Sequence, residues 1–145
     1  MQTERRILST TEALQISPVT LAFVGDAVYS LFVREQLTLE IGGKAADLQR
    51  VATRVVSARG QSEFLDRLLP LLSEEETGVF RRGKNAKKAT KSKSASHLEY
   101  SRSTGFEAVL GYLYLTGRDA RIRELLSVYG GFETEEKATP FKPMR

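Results

Sequence analysis

The sequence predicts an all-α protein, because apolar residues recur at helical spacing along much of its 145 residues. Leu48, Val51 and Val55 show this spacing, with Arg50 and Arg54 on other faces. The sequence contains neither a strand-length alternation of apolar and polar residues nor an Asn-Gly or Asp-Gly hairpin turn. A chain of this length can bury one hydrophobic core, so we expect helices packed on helices in a single domain.

The first predicted helices follow from start and stop signals. Ser17 and Pro18 are typical of an N-cap and a first helical residue, and the helix that they begin is apolar on most sides, which predicts a central position. Ser57 or Gly60 breaks the pattern after the second helix. The predicted helices cover 18–37, 45–56, 64–69, 73–80, 104–115 and 119–129.

Capping residues place the later helices. Ser73 and Glu76 have the spacing of a capping box, which predicts a short helix after them. Ser96 and Glu99 have the same spacing ahead of a longer helix, and Gly117 is placed to end that helix. The last helix is amphipathic and stops at two glycines.

Length and composition limit the class of protein. At 145 residues we expect one domain over 1–132 and a disordered polar tail over 133–145. No apolar run is long enough to span a bilayer, and no secretory signal is visible. With no cysteine, disulfides and thiolate metal sites are excluded. These features predict a cytoplasmic protein.

Basic residues concentrate in one short segment. Residues 81–102 hold eight Lys or Arg and one Glu, whereas the rest of the chain holds 14 basic and 17 acidic residues. The absence of apolar periodicity predicts a loop over 83–97. The excess positive charge indicates contact with a polyanion, and a solvated loop that binds nothing is the alternative. His97, the single histidine, is expected to be a surface polar residue.

Two apolar segments each carry one acid: Asp26 lies within Leu21–Val28, and Glu107 lies within Thr104–Leu113. A carboxylate withdrawn from water needs a cation, a metal or several hydrogen-bond donors. If the two segments pack together, both acids become ligands of one divalent ion such as Mg²⁺. The alternatives are pairing with Arg or Lys, or simple exposure to solvent.

The acid-bearing segments resemble the ribonuclease III family. Phe23–Val28 is similar to the core of the family's endonuclease motif, and Phe106–Gly111 is similar to its second metal-binding helix. The chain resembles more closely the mini-ribonuclease III branch, which consists of the catalytic domain without the domain that binds double-stranded RNA. That closer resemblance covers about residues 15–130 and includes Val56–Ala58, Arg82–Lys87 and Tyr100–Thr104.

The resemblance implies a ribonuclease III endonuclease-domain-like helical fold that works as a two-fold homodimer. It implies an endonuclease that hydrolyses double-stranded RNA and leaves 5′-phosphate and 3′-hydroxyl ends. Asp26 and Glu107 are the implied catalytic and metal-binding residues, with Mg²⁺ as the ion and Mn²⁺ as its substitute. The implied substrate is precursor ribosomal RNA, particularly of the large subunit, which places the protein in ribosome biogenesis.

The basic segment suits such a substrate, because an RNA duplex is recognised mainly through its shape, phosphates and 2′-hydroxyls. The candidate RNA-binding residues are Arg81, Arg82, Lys84, Asn85, Lys87, Lys88, Lys91, Lys93 and Arg102. The spacing leaves open whether Tyr29, Phe32, Phe64 and Leu68 belong to the monomer core or to a dimer face.

The chain departs from the full-length ribonuclease III pattern at two metal-site positions. Ala22 stands where that pattern has Glu, and Thr104 stands where it has Asp. The mini branch resembles this chain at both positions, which argues against simple inactivation. A catalytically inactive helical protein for RNA binding or ribosome assembly is the first alternative. A helical DNA-binding protein is the second, although no basic recognition helix is visible.

Overall fold

The structure, a computed structural model, describes residues 4–56, 58–86 and 95–129. These residues are helical and contain no strand, which confirms the predicted all-α class. None of the helices described is long and apolar enough to cross a membrane. The tail predicted over 133–145 lies outside the described residues. The helices are α1 (Thr10–Leu14), α2 (Pro18–Glu40), α3 (Ala45–Val56), α4 (Ala58–Leu68), α5 (Glu74–Asn85), α6 (Ala95–Leu115) and α7 (Asp119–Leu126), with 3₁₀ turns at Leu69–Leu71 and Ser127–Tyr129.

Side-chain caps begin three of these helices. Ser17 accepts a hydrogen bond from the Thr20 N–H at the start of α2, as predicted. Ser73 and Glu76 form the predicted reciprocal capping box of α5. Ser9 forms another capping box with Glu12 and begins α1, a helix that the sequence analysis did not predict.

The predicted loop over 83–97 is wrong at both ends. Helix α5 continues to Asn85, and α6 begins at Ala95, one residue before the predicted N-cap Ser96. Gly83, the first residue of the predicted loop, lies inside α5 and is buried where α5 packs on α6. Of the two predicted break points after the second helix, Gly60 lies inside α4 and does not break it, and Ser57 lies outside the described residues.

Helices α2 and α6 cross so closely that their backbones touch. A Cβ atom added at Gly25 would lie 1.7 Å from the carbonyl oxygen of Glu107. One added at Gly111 would lie 1.9 Å from the carbonyl oxygen of Leu21. These pairings run the two helices antiparallel, and glycine is required at both positions because any side chain would collide with backbone.

Aromatic side chains pack beside this crossing. The ring of Phe106 in α6 makes edge-to-face contacts with Tyr29 of α2 and Phe64 of α4, with centroids 5.1 and 5.4 Å apart. Tyr29, Phe64 and Leu68 are buried in the core, which decides between the two positions that the spacing left open for them. Phe32 is only partly buried.

Helix α5 is seated on α6 by two further glycines. A Cβ atom at Gly83 would lie 2.9 Å from the Gly105 Cα and 3.0 Å from the Ala108 Cβ. A Cβ atom at Gly105 would lie 2.7 Å from the carbonyl oxygen of Phe80. The last turns of α5 are therefore held against the middle of α6.

A buried ion pair holds the first turn of α5. Both carboxylate oxygens of Glu76 accept hydrogen bonds from Arg121 of α7, at 2.7 and 2.8 Å, and one also accepts from the Ser73 N–H at 2.8 Å. Burial acts to raise the pKa of Glu76, but the hydrogen bonds from Arg121 and Ser73 outweigh it and hold the pKa below its ordinary value.

Gly25→Ala should lower the free energy of unfolding by about 3 kcal/mol or more. The added methyl would collide with a backbone carbonyl, which cannot move aside by changing a side-chain rotamer. Denaturant unfolding measures the change. Gly78→Ala is the matched control: its Cβ has nothing within 4 Å, so we expect a gain of roughly 0.5–1 kcal/mol. Wild-type stability in Gly25→Ala would contradict the close contact.

Acid should weaken the fold through Glu75. Arg118 donates hydrogen bonds of 2.9 and 3.0 Å to its carboxylate and Tyr112 donates another, which lowers the pKa of Glu75 to about 2 from an ordinary 4.5. The stabilisation is therefore complete above the ordinary value and is lost as pH falls towards the lowered one.

The free energy of unfolding, measured with urea across that acidic range, should fall more steeply with decreasing pH in wild type than in Glu75→Gln. Parallel pH profiles for the two proteins would show that this ion pair does not couple protonation to folding.

Candidate active site

Asp26 lies on the outer side of α2 and is exposed, so of the alternatives that the sequence left open its carboxylate is not withdrawn from water. Its neighbours Phe23 and Ala27 are exposed as well. The apolar run around Asp26 is therefore not wholly core, and the carboxylate is open to a ligand as large as a nucleic acid.

Glu107 lies at the middle of α6 and is half-buried. Its backbone carbonyl is the group that Gly25 meets, and Asp26 is the next residue on α2. The structure thus brings both acids to the same helix crossing, although they are eighty-one positions apart in the sequence.

The two positions where family acids are replaced add no carboxylate here. Ala22 is buried on α2. Thr104 is also buried, and its hydroxyl donates to the carbonyl oxygen of Tyr100 at 2.9 Å. Among the described residues, no group of three or more His, Asp or Glu side chains is arranged to hold a metal ion. The predicted metal ligands that lie at the crossing are Asp26 and Glu107.

Four of the predicted RNA-binding residues lie on the last turns of α5: Arg81, Arg82, Lys84 and Asn85, all exposed. Since Gly83 packs against Thr104, Gly105 and Ala108, this end of α5 lies alongside the stretch of α6 that carries Glu107. The Arg82 guanidinium also donates to the Leu14 carbonyl oxygen at 3.3 Å, which ties α5 to the end of α1.

The remaining basic candidates divide into two groups. Arg102 is on α6 and donates to the Asp66 carboxylate at 2.8 Å and to Ser62 Oγ at 3.3 Å, so it already has an acidic partner. Four others lie outside the described residues: Lys87, Lys88, Lys91 and Lys93. His97 belongs to the first turns of α6 and is partly buried, so the expectation of a surface loop residue is wrong.

The family model for the Ribonuclease III domain matches residues 19–118, a range that contains both acids and the whole crossing. The chain belongs to the ribonuclease III family. It is 47% identical over 119 residues to Mini-ribonuclease 3 of Symbiobacterium thermophilum, covering 82% of this chain and 92% of that one. Mini-ribonuclease 3 of Brevibacillus brevis is 44% identical over 110 residues, covering 76% and 82%.

A solved structure is similar as well. The crystal structure of protein FN1578 from Fusobacterium nucleatum superposes with a TM-score of 0.66 and 29% identity, and the match covers 78% of this chain and 90% of that one. These matches confirm the resemblance to the mini branch of the ribonuclease III family. They support an endoribonuclease with double-stranded RNA as its class of substrate.

Proposed function

We propose that this ribonuclease III family member cleaves double-stranded RNA with Mg²⁺ held between Asp26 and Glu107. The observation that supports the proposal most is the backbone contact between Gly25 and Glu107, because Asp26 is the next residue after Gly25. The named relatives support the reaction, and the open position of Asp26 supports access by a rigid duplex.

The residues fit a magnesium ion that shares its coordination with substrate. Mg²⁺ prefers oxygen ligands and is commonly held by one or two carboxylates, with water and phosphate oxygens completing the octahedron. Asp26 and Glu107 supply such a pair, and Mn²⁺ accepts the same ligands. The ion would supply Lewis-acid polarisation of the scissile phosphate and a more acidic water.

The two acids have different parts in this proposal. Asp26, exposed on α2, meets the substrate side of the site, whereas Glu107 is half-buried on α6 and fixes the inner side. Hydrolysis forms a bond from water oxygen to phosphorus and breaks the bond from phosphorus to the 3′ oxygen. One water proton ends on that 3′ oxygen, which leaves 3′-hydroxyl and 5′-phosphate ends.

The exposed cations at the end of α5 would contact the RNA backbone. Arg81, Arg82 and Lys84 lie beside the part of α6 that carries Glu107, and phosphate contacts of this kind position a duplex without reading its sequence. We include Asn85 and the four lysines of 87–93 in the same surface. Arg102 is a weaker candidate, because binding RNA would compete with its ion pair to Asp66.

We also propose that the protein is a homodimer formed through the exposed apolar residues of α2. Exposed apolar residues follow one another at four- or eight-residue spacing there, with Phe23 at 79%, Leu31 at 61% and Leu39 at 64% exposure. Large apolar side chains exposed on a helix are typical of an interface between two copies of a chain.

A cavity of about 260 Å³ adjoins Leu39 and is lined in part by Phe32, Arg123 and Leu126. Its volume and its partly apolar lining suit an inserted phenylalanine ring, which supports the same interface.

The natural substrate that we propose is precursor ribosomal RNA of the large subunit, as the resemblance implies. A cytoplasmic location belongs to the same proposal.

Asp26→Asn and Glu107→Gln should each reduce cleavage of a long RNA duplex by about a thousandfold or more, because losing the metal's charge stabilisation removes several kcal/mol. Timed gel assays with Mg²⁺, and with chelator, measure the loss. Glu124→Gln, an exposed acid on α7, is the control and should cleave normally. Cleavage by both site variants at the wild-type rate would refute the assignment, and an intact duplex with wild-type protein would favour an inactive RNA-binding protein.

Phe23→Asp should convert the dimer to a folded monomer. In the dimer the aspartate would be buried in an apolar interface without a partner, whereas in the monomer it would be exposed to water. Light scattering after size exclusion gives the mass. Leu71→Asp, at 51% exposure on the 3₁₀ turn after α4, should leave the dimer intact. A wild-type monomer, or a dimeric Phe23→Asp, would rule out this interface.

A further inference from the structure

A positively charged surface lies on α3 and on the side of α2 that faces it. Helix α3 buries Val51, Ala52 and Val55 and exposes Gln49, Arg50, Thr53 and Arg54. We use the name α3 arginine surface for five exposed residues: Arg34 of α2, and Gln49, Arg50, Thr53 and Arg54 of α3.

Neutral groups hold Arg34 in this surface. Its guanidinium donates to Gln49 Oε1 at 3.3 Å and to Ser30 Oγ. Gln49 Nε2 donates to Thr53 Oγ1 at 3.2 Å, and the Thr53 hydroxyl donates to the Gln49 carbonyl oxygen at 2.9 Å. Neutral acceptors fix the direction of a guanidinium without cancelling its charge, so its planar fork stays able to bind an anion.

Five arginines outside the α3 arginine surface are paired with acids at short range. A carboxylate oxygen lies within 2.9 Å of each of Arg5, Arg102, Arg118, Arg121 and Arg123. In the α3 arginine surface, Arg50 lies 3.9 Å from Asp47, and both side chains are about half exposed. An exposed pair at that distance is weak and readily exchanged for another anion.

The two flanks of α2 differ in the charges that line them. A groove of about 210 Å³ lies between α2 and α3, and the polar residues of its described lining are Arg34, Thr38 and Gln49, with no carboxylate among them. The cavity on the other flank is lined by Glu35, Glu40 and Arg123, and Arg123 is paired with Glu35. An anion is therefore favoured on the α3 side of α2.

The α3 arginine surface adjoins the candidate active site. The Tyr29 hydroxyl donates to the Val55 carbonyl oxygen at 3.3 Å, whereas Arg34 meets Gln49, so α3 runs antiparallel along α2. Val55 thus lies beside position 29, about 4.5 Å along the α2 axis from Asp26. The surface begins near Asp26 at Arg54 and extends away from it.

We propose that the α3 arginine surface is a second contact for RNA phosphates, beside Asp26 and separate from the basic end of α5. The proposal rests on the proposed function, because it takes an RNA duplex as the ligand. A duplex engaged at Asp26 extends past the site, and guanidinium, amide and hydroxyl groups are those that contact phosphates and 2′-hydroxyls.

The test measures binding of a long RNA duplex over a series of salt concentrations, in an Asp26→Asn background that leaves the RNA intact. The variant combines Arg34→Gln, Arg50→Gln and Arg54→Gln. Each arginine that neutralises a phosphate adds about one to the slope of log affinity against log salt, so the slope should become shallower by about three. Arg6→Gln, an exposed arginine paired with Glu12, is the control and should keep the slope.

Replacing the same three arginines by lysine keeps the charge and should restore most of the slope. If the triple glutamine variant does not fold, Arg54→Gln alone carries the test, with an expected change of about one. An unchanged slope in folded variants, while wild-type protein cleaves the duplex, would overturn this surface and leave the proposed function standing. Absence of both binding and cleavage in wild type would overturn both.

Discussion

The meeting of two helix backbones at Gly25 and Gly111 is the contact on which the rest of the structure depends. A side chain at either glycine would force α2 and α6 apart, since the opposing atoms are backbone and have no rotamers to change. The contact therefore fixes both the spacing and the rotation of the two central helices. Asp26 follows one glycine, and Glu107 supplies the carbonyl that this glycine meets, so the pair of acids is positioned by packed helices.

Helix α5 brings positive charge to the same place. Its first turn carries Glu74, Glu75 and Glu76, and its last turns carry Arg82 and Lys84, which matches the helix dipole at both ends. The buried pair of Glu76 with Arg121 holds one end, while Gly83 seats the other on α6. The charge pattern that stabilises the helix thus also places its basic residues near Glu107.

Local signals predicted much of the fold, because helix caps and apolar spacing depend on nearby residues. Ser17, Ser73 and Gly117 have the predicted roles, and the Ser9–Glu12 spacing would have revealed α1. Tertiary packing decided the rest. A glycine such as Gly83 reads as a loop residue until its neighbour on α6 is known. Spacing could not separate core from outer face on α2, so the sequence left open whether Asp26 is buried or exposed.

The proposed site requires that Asp26 and Glu107 bind one metal ion together. The chain has no cysteine, so Asp26→Cys with Glu107→Cys introduces two thiols only. Cadmium titration followed by thiolate absorbance measures whether they share an ion, since thiolates are soft ligands that bind such a metal tightly. The account predicts one tightly bound Cd²⁺ per chain in the double variant, far tighter than in either single variant. Two weak, independent thiols in the folded double variant would contradict it.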